Sequence, residues 1–314
     1  MGQTFRKLVR TLGNRWFGCR AALCLPVLFM VAHSSSPKDA LAVEALSQPA
    51  VPHERALVLS YDVYVGGFFV FGFDAEASFD GLGYAITIDG SSRGLLGQFW
   101  TWRSRLISEG RMSAVPSVSG QLAPIAFTNV SEWRGTSRRI TVHFAGYGSY
   151  AVERHPSDDN RDEDDGALPD SLPLGTLDPV SAAVSALSDS AQDARCERHL
   201  PVFDGKRRYD LTVHEGEGTV KLDPSHFSAY AGVALSCRIS IKRISGFTAR
   251  RSARYWDDDG GSWPTIWAAQ LEPDMPLVPV RFLASINIGT MVVHLVHAEV
   301  RDGGESRPIA GPRP

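Results

Sequence analysis

The chain has 314 residues, 43% of them hydrophobic and 21% charged, with a net charge of −3 at neutral pH. That apolar content supports a real core and excludes a wholly disordered chain, while the slight negative charge excludes a basic footprint for nucleic acid. Glycine (29 residues) and proline (19 residues) are frequent, which favours many strands and turns over long helices.

The chain opens with basic residues, Arg6, Lys7, Arg10, Arg15 and Arg20, followed by an apolar stretch at 21–32. The stretch is shorter than the roughly 20 residues of a comfortable membrane span. Ala40 and Ala42 then supply the small-residue spacing that a signal peptidase prefers. A signal peptide over 1–42 and a periplasmic destination follow, with retention of 21–32 as an inner-membrane anchor the alternative. A lipoprotein fits poorly, because Leu23 before Cys24 is large for a lipobox. Residues 43–55 read as a linker and 56–300 as a single β-rich envelope domain.

Strand-like alternation dominates that domain. "ALVLSYDVYV" places Leu57, Leu59, Tyr61, Val63 and Val65 on one face, and Gly66-Gly67 follows as a tight turn or a bulge. The stretch "VGGFFVFGFDAEASF" continues the alternation, with Phe69, Phe71, Phe73 and Phe79 on one side. "YAITIDG" groups Tyr84, Ile86 and Ile88. "RGLLGQFWTWRSRLIS" reads either as a short helix or as an aromatic turn entering a strand. "RRITVHF" groups Ile140, Val142 and Phe144. An acidic, Pro-rich stretch near 156–170 reads as a disordered surface loop.

"DPVSAAVSALSDSAQD" predicts the chain's firm helix, with Asp178 as N-cap and Pro179 at the first helical position. Val180, Ala183, Val184, Leu187 and Ala191 fall at helical spacing on one face. "RYDLTVHEG", "VALSCRISIKR" and "VPVRFLASINI" complete the strands, the second with Cys237 on its apolar side. Polar loops lie around Trp256 and Trp263, and 301–314 reads as a flexible tail.

Once the leader is removed, Cys196 and Cys237 are the remaining cysteines. In an exported chain such a pair is most simply a disulfide, closing a loop of about 40 residues worth roughly 4 kcal/mol; two buried thiols are the alternative.

Roughly eight to ten one-sided strands and one helix predict a mainly β fold: a curled antiparallel sheet, an open barrel or β-spiral, covering one short helix. Phe69, Phe71, Phe73, Phe99, Trp100 and Trp102 are the candidate lining of the concave side. They either leave a trough for a lipidic or acyl ligand or fill a solid core.

The sequence contains no HExxH and no CxxC. His294 and His297 are predicted on opposite faces of a strand, and "NVS" at Asn129 is a weak glycosylation pattern. Asp257, Asp258 and Asp259 read as a solvated turn rather than a calcium loop. Arg207, Arg208 and Asp210 read as a surface ion pairing or an anion site. No enzyme activity, metal or cofactor is expected.

The block "CERHLPVFDGKRRYDLTV", the helix start "LDPVSA" and "SYDVYVGG" together resemble the bacterial family known as domain of unknown function 3108, over about 56–296. "CRISIKRISGF" and "PLVPVRF" are similar to alphaproteobacterial members. The resemblance implies an exported envelope protein without an established activity. At the level of fold it extends to the curled sheets of periplasmic lipoprotein carriers and of a cell-envelope integrity protein built as a disulfide-held β-spiral. The reading that emerges is a non-enzymatic periplasmic protein that binds a lipid, a lipoprotein or another envelope partner. A solid-core scaffold of the cell envelope is the alternative.

Overall fold

The structure is a computed structural model that describes residues 55–80, 82–94, 101–117, 120–145, 149–156, 173–193, 195–247, 263–273, 275–286, 288–302 and 304–310. The predicted leader, most of the linker, the acidic loop, Phe99, Trp100, Trp256 and the Asp257–Asp259 run lie outside these residues.

In chain order the elements are β1 (Arg55–Val65), β2 (Phe68–Phe79), β3 (Gly83–Ser92), β4 (Trp102–Ser117), β5 (Gly120–Trp133), β6 (Thr136–Ala145) and β7 (Ser149–His155). Then come α1 (Pro179–Asp193), β8 (Arg198–Phe203), β9 (Arg208–Leu222), β10 (Gly232–Ser245), β11 (Thr265–Ala269), β12 (Val278–Ile286), β13 (Gly289–Asp302) and β14 (Glu305–Ala310). The ambiguous stretch before Leu106 therefore enters a strand at Trp102. All strands belong to one sheet, ordered β7-β6-β5-β4-β3-β2-β1-β13-β12-β11-β10-β9-β8, with β14 on β13.

Two antiparallel meanders, β1–β7 and β8–β13, join through the β1–β13 ladder. Antiparallel neighbours need only short turns. The long connection is the one from the β7 edge to the β8 edge, and it carries α1.

The sheet is curled and not closed by a ladder: β7 and β8 end the hydrogen-bonded path. Side chains bridge the two edges instead. Tyr150 on β7 packs edge-on against Phe203 on β8, with ring centroids 5.4 Å apart. Arg154 donates to the Gly205 carbonyl oxygen at 2.6 Å. Gly205 sits at φ +88° in the turn between β8 and β9, and a Cβ there would collide with Ile140 and Val142 of β6. Only glycine fits both the conformation and the space. The Asp204-Gly205 turn thus also seals one edge against the other.

The core has three connected parts. Leu57, Leu59, Val280, Leu295 and Ala298 pack around the β1–β13 junction. Tyr84, Ile86, Phe127, Val142 and Phe203 meet Val180 of α1. Leu200, Val202, Val213, Leu235 and Cys237 meet Ala182 and Ala186 on the same helix. α1 therefore has packing partners in both meanders. Its buried positions are Val180, Ser181, Ala182, Ser185 and Ala186, while Ala183 is exposed. Helical spacing alone puts Ala183 on one face with Val180, Val184 and Leu187. A helix held between two sheet halves hides more than one stripe, and its smallest side chains permit the closest approach.

Tail ordering is a second departure. Glu305–Ala310 form β14 on the β13 edge, where a flexible tail is expected from composition. Arg307 reaches both carboxylate oxygens of the buried Glu272 at 2.9 Å, and Arg55 meets the same group at 2.7 Å. Ile309 and Ala310 pack on the core. A shared buried carboxylate and two apolar side chains offset the entropy of ordering that glycine and proline composition alone suggests is left free.

Cys196 and Cys237 are joined, with Cα atoms 5.6 Å apart and 41 positions between them in sequence. The bond ties the exit of α1 to the inner face of β10. The oxidised protein is expected to melt above a Cys196→Ser/Cys237→Ser variant by the equivalent of about 2–4 kcal/mol. A reductant should bring the two circular-dichroism melts together; identical melts under oxidising conditions would show that the bond contributes no stability.

Candidate functional site

Residues directly opposite in an antiparallel ladder share a face, so the register maps the concave side row by row. One row reads Leu57, Ala77, Ile86, Ser108, Phe127 and Val142 from β1 to β6. The next reads Leu59, Ala75, Ile88, Leu106, Asn129 and Ile140. The third reads Tyr61, Phe73, Gly90, Ser104, Ser131 and Arg138. Ile86, Phe127 and Val142 of the first row pack with Val180 of α1, and the row is buried apart from the half-buried Ala77. In the third, Tyr61, Phe73, Ser104 and Ser131 are half-buried and Arg138 is exposed. Burial therefore falls along the strands, away from the helix.

Beyond the third row the face is aromatic. Trp102 packs edge-on against Phe71 at 5.3 Å and Phe73 at 6.1 Å between ring centroids, and it pairs directly with Trp133 of β5. Phe71, Phe73 and Trp102 are all half-buried. Gly90 is their seat: a Cβ there would lie 2.7 Å from Phe73 and 3.1 Å from Trp102, so the missing side chain leaves room for two rings.

Among the described members of the predicted lining, Phe69 changes its place. Gly66-Gly67 form the tight turn between β1 and β2, and Val70 is an unpaired bulge residue: Val63 pairs with Phe71, but Tyr64 pairs with Phe69. The extra residue reverses the alternation. Phe69 leaves the concave face and joins Tyr64, 5.7 Å away, on the convex one. Val70 is buried instead. Tyr64, Phe227 and His294 complete that outer cluster. Burial, and then the charge of Arg281, lower the pKa of His294 and keep its ring neutral.

A bulge also corrects the histidine prediction. His294 pairs with Asp62 and His297 with Ser60, because Val296 is the extra residue on β13. Both histidines therefore share the convex face. His297 lies 3.3 Å from Glu299, and no metal-holding cluster occurs among the described residues. Arg208 and Asp210 form an ion pair at 2.5 Å. Asn129 lies on the concave face of β5 with its Oδ1 buried, a poor position for a glycan.

The floor of the concavity is polar where α1 begins. Asp178 Oδ1 accepts hydrogen bonds from the backbone N–H groups of Val180 at 2.9 Å and Ser181 at 3.0 Å, the predicted N-cap. Its Oδ2 accepts from Ser108 at 3.0 Å and from the Ser181 hydroxyl. The Tyr84 hydroxyl meets Ser181 Oγ at 2.6 Å. These groups are satisfied by one another, and the network fastens the helix to β3 and β4. Burial pushes the Asp178 carboxyl up, opposed by its hydrogen bonds, and burial also raises the Tyr84 phenol.

Sequence reasoning found Asp178 from its Pro179 neighbour but not Tyr84 or Ser108, which lie 97 and 70 positions from their partners. A readable signal was the glycine at position 110, which faces Tyr84 across the ladder and gives its ring and hydroxyl room to reach inward.

Residues 60–296 match the family described as protein of unknown function (DUF3108), and the chain belongs to that family. No curated protein matches. A solved structure of a β-barrel-like protein of domain of unknown function DUF1849 from Brucella abortus is similar, with a TM-score of 0.46 and 13% identity. The similarity covers 81% of this chain and 100% of that one.

Replacing Asp178 with Ala should cost about 2–4 kcal/mol, because it removes a cap and strands buried donors. Asp178→Asn keeps an acceptor for the cap. A carboxyl whose native pKa is raised loses stability as pH climbs from its unfolded value near 4 through the native one. Urea titrations should therefore show the Asn variant gaining on the parent as pH rises from about 4. A parent that gains instead would mean that the ionised carboxylate is favoured.

Proposed function

We propose that this DUF3108 protein is a non-enzymatic periplasmic envelope protein whose concave sheet binds a lipidic or acyl ligand, free or on a lipoprotein partner. The observation that carries the reading is the gradient along β2 to β5. The end beside α1 is filled, and Phe71, Phe73 and Trp102 at the other end are half-exposed on a concave face. Apolar burial contributes about 25 cal/mol per Å², or about 0.8 kcal/mol per methylene, so an acyl chain on such a wall gains several kcal/mol without any catalytic group.

Three further features support the reading. The basic-apolar leader is that of an exported chain. The disulfide is compatible with an oxidising compartment. The buried Asp178–Ser108–Ser181–Tyr84 set has its hydrogen bonds spent on holding the helix. Among the described residues no helix is long and apolar enough to cross a membrane.

Native mass spectrometry with solvent extraction of the purified protein tests the reading. Acyl species are expected to co-purify, and Phe71→Ser/Trp102→Ser should retain about a tenth as much or less while melting cooperatively. A protein that carries no acyl species and rejects added fatty acid would overturn this reading and leave the solid-core scaffold.

A further inference from the structure

β1, β5 and β12 run in the same direction through the sheet, so the turns that follow them emerge at one end. It is the end at which Phe71, Phe73 and Trp102 line the concave face. Each turn presents a large apolar side chain to solvent: Phe68 after β1 is 72% exposed, Trp133 at the end of β5 is 49% exposed, and Ile288 after β12 is 78% exposed. The Phe68 and Ile288 turns lie side by side, since the Gly66 N–H donates to the Thr290 carbonyl at 3.0 Å. Such exposure is unusual at tips that a soluble hairpin would normally make polar.

The surrounding charge has a sign. The β5–β6 hairpin carries exposed Arg134, Arg138 and Arg139 against one acid, Glu132. The Arg134 guanidinium lies 5.8 Å over the Trp133 ring. Arg138 stands in the third concave row, beside the mouth. Apolar tips flanked by arginines suit the boundary between headgroups and acyl chains: the tips enter the apolar layer while the cations stay with the phosphates.

We propose that this rim docks onto the surface of an anionic phospholipid bilayer, with Phe68, Ile288 and Trp133 inserted and Arg134 and Arg138 on the phosphates. Docked in this way, the aromatic mouth faces the lipid. The surface does not depend on the acyl-binding reading, because a protein can dock without taking up a chain, and the two are tested by separate measurements.

The test is co-sedimentation of the protein, as isolated from expressing cells, with vesicles of phosphatidylglycerol and phosphatidylethanolamine, alongside vesicles of phosphatidylcholine alone. The protein is expected to prefer the anionic vesicles. Phe68→Ser/Ile288→Ser should weaken binding about tenfold or more, and Arg134→Gln/Arg138→Gln should remove the preference for anionic lipid. Leu82, 79% exposed in the turn after β2 at the opposite end, is the control: Leu82→Ser should bind like the parent. Absence of vesicle binding, tip variants that bind like the parent, or an equal loss in Leu82→Ser would overturn the proposal. So would a solution dimer that the tip variant abolishes while vesicle binding is unchanged.

Discussion

The apolar inner face of a 14-stranded sheet has to be covered, and among the described residues the helix that covers it is α1, with 15 residues. At about 1.5 Å per residue that helix is roughly 22 Å long. A strand such as β2, with 12 residues, extends about 40 Å at 3.3 Å per residue. The helix is too short to cover the whole face and must be held where covering matters most. Asp178 holds its start to β3 and β4, and the Cys196–Cys237 bond holds its exit to β10. Both meanders are thereby fastened to one element, and the curl follows.

The gradient of burial on the concave side is a consequence of that placement. Next to α1 the rows are closed by Ile86, Phe127 and Val142. Farther along the strands the helix no longer reaches, and the face ends in rings that pack on each other over Gly90. Three aromatics are thus left half-buried on a concave wall, at the end where the hairpin tips are also apolar.

Local order was readable from sequence because it rests on local rules. Alternation located most strands, the Asp178-Pro179 pair located the helix start, and the two cysteines beyond the basic-apolar N-terminal stretch located the crosslink. The failures share a physical cause. A single extra residue, Val70 or Val296, reverses every face assignment beyond it, and nothing in an alternating pattern marks where the ladder will bulge. The tail at β14 is ordered by a carboxylate at Glu272 that is distant in sequence. The Asp178 network likewise joins residues from separate strands, so its members look like ordinary strand positions when read alone. Within the candidate site, the positions of Phe71, Phe73 and Trp102 were legible and that of Phe69 was not.

The central claim is that the concave side is filled at the helix end and open at the other. The most direct measurement is solvent paramagnetic relaxation of assigned aromatic side-chain signals, with a small neutral nitroxide as the probe. Strong broadening of Phe71, Phe73 and Trp102, with Tyr84 and Phe127 unaffected, is the predicted result. Equal protection of all five rings would mean a solid core, and equal broadening would mean that α1 does not occupy the curl; either contradicts the account.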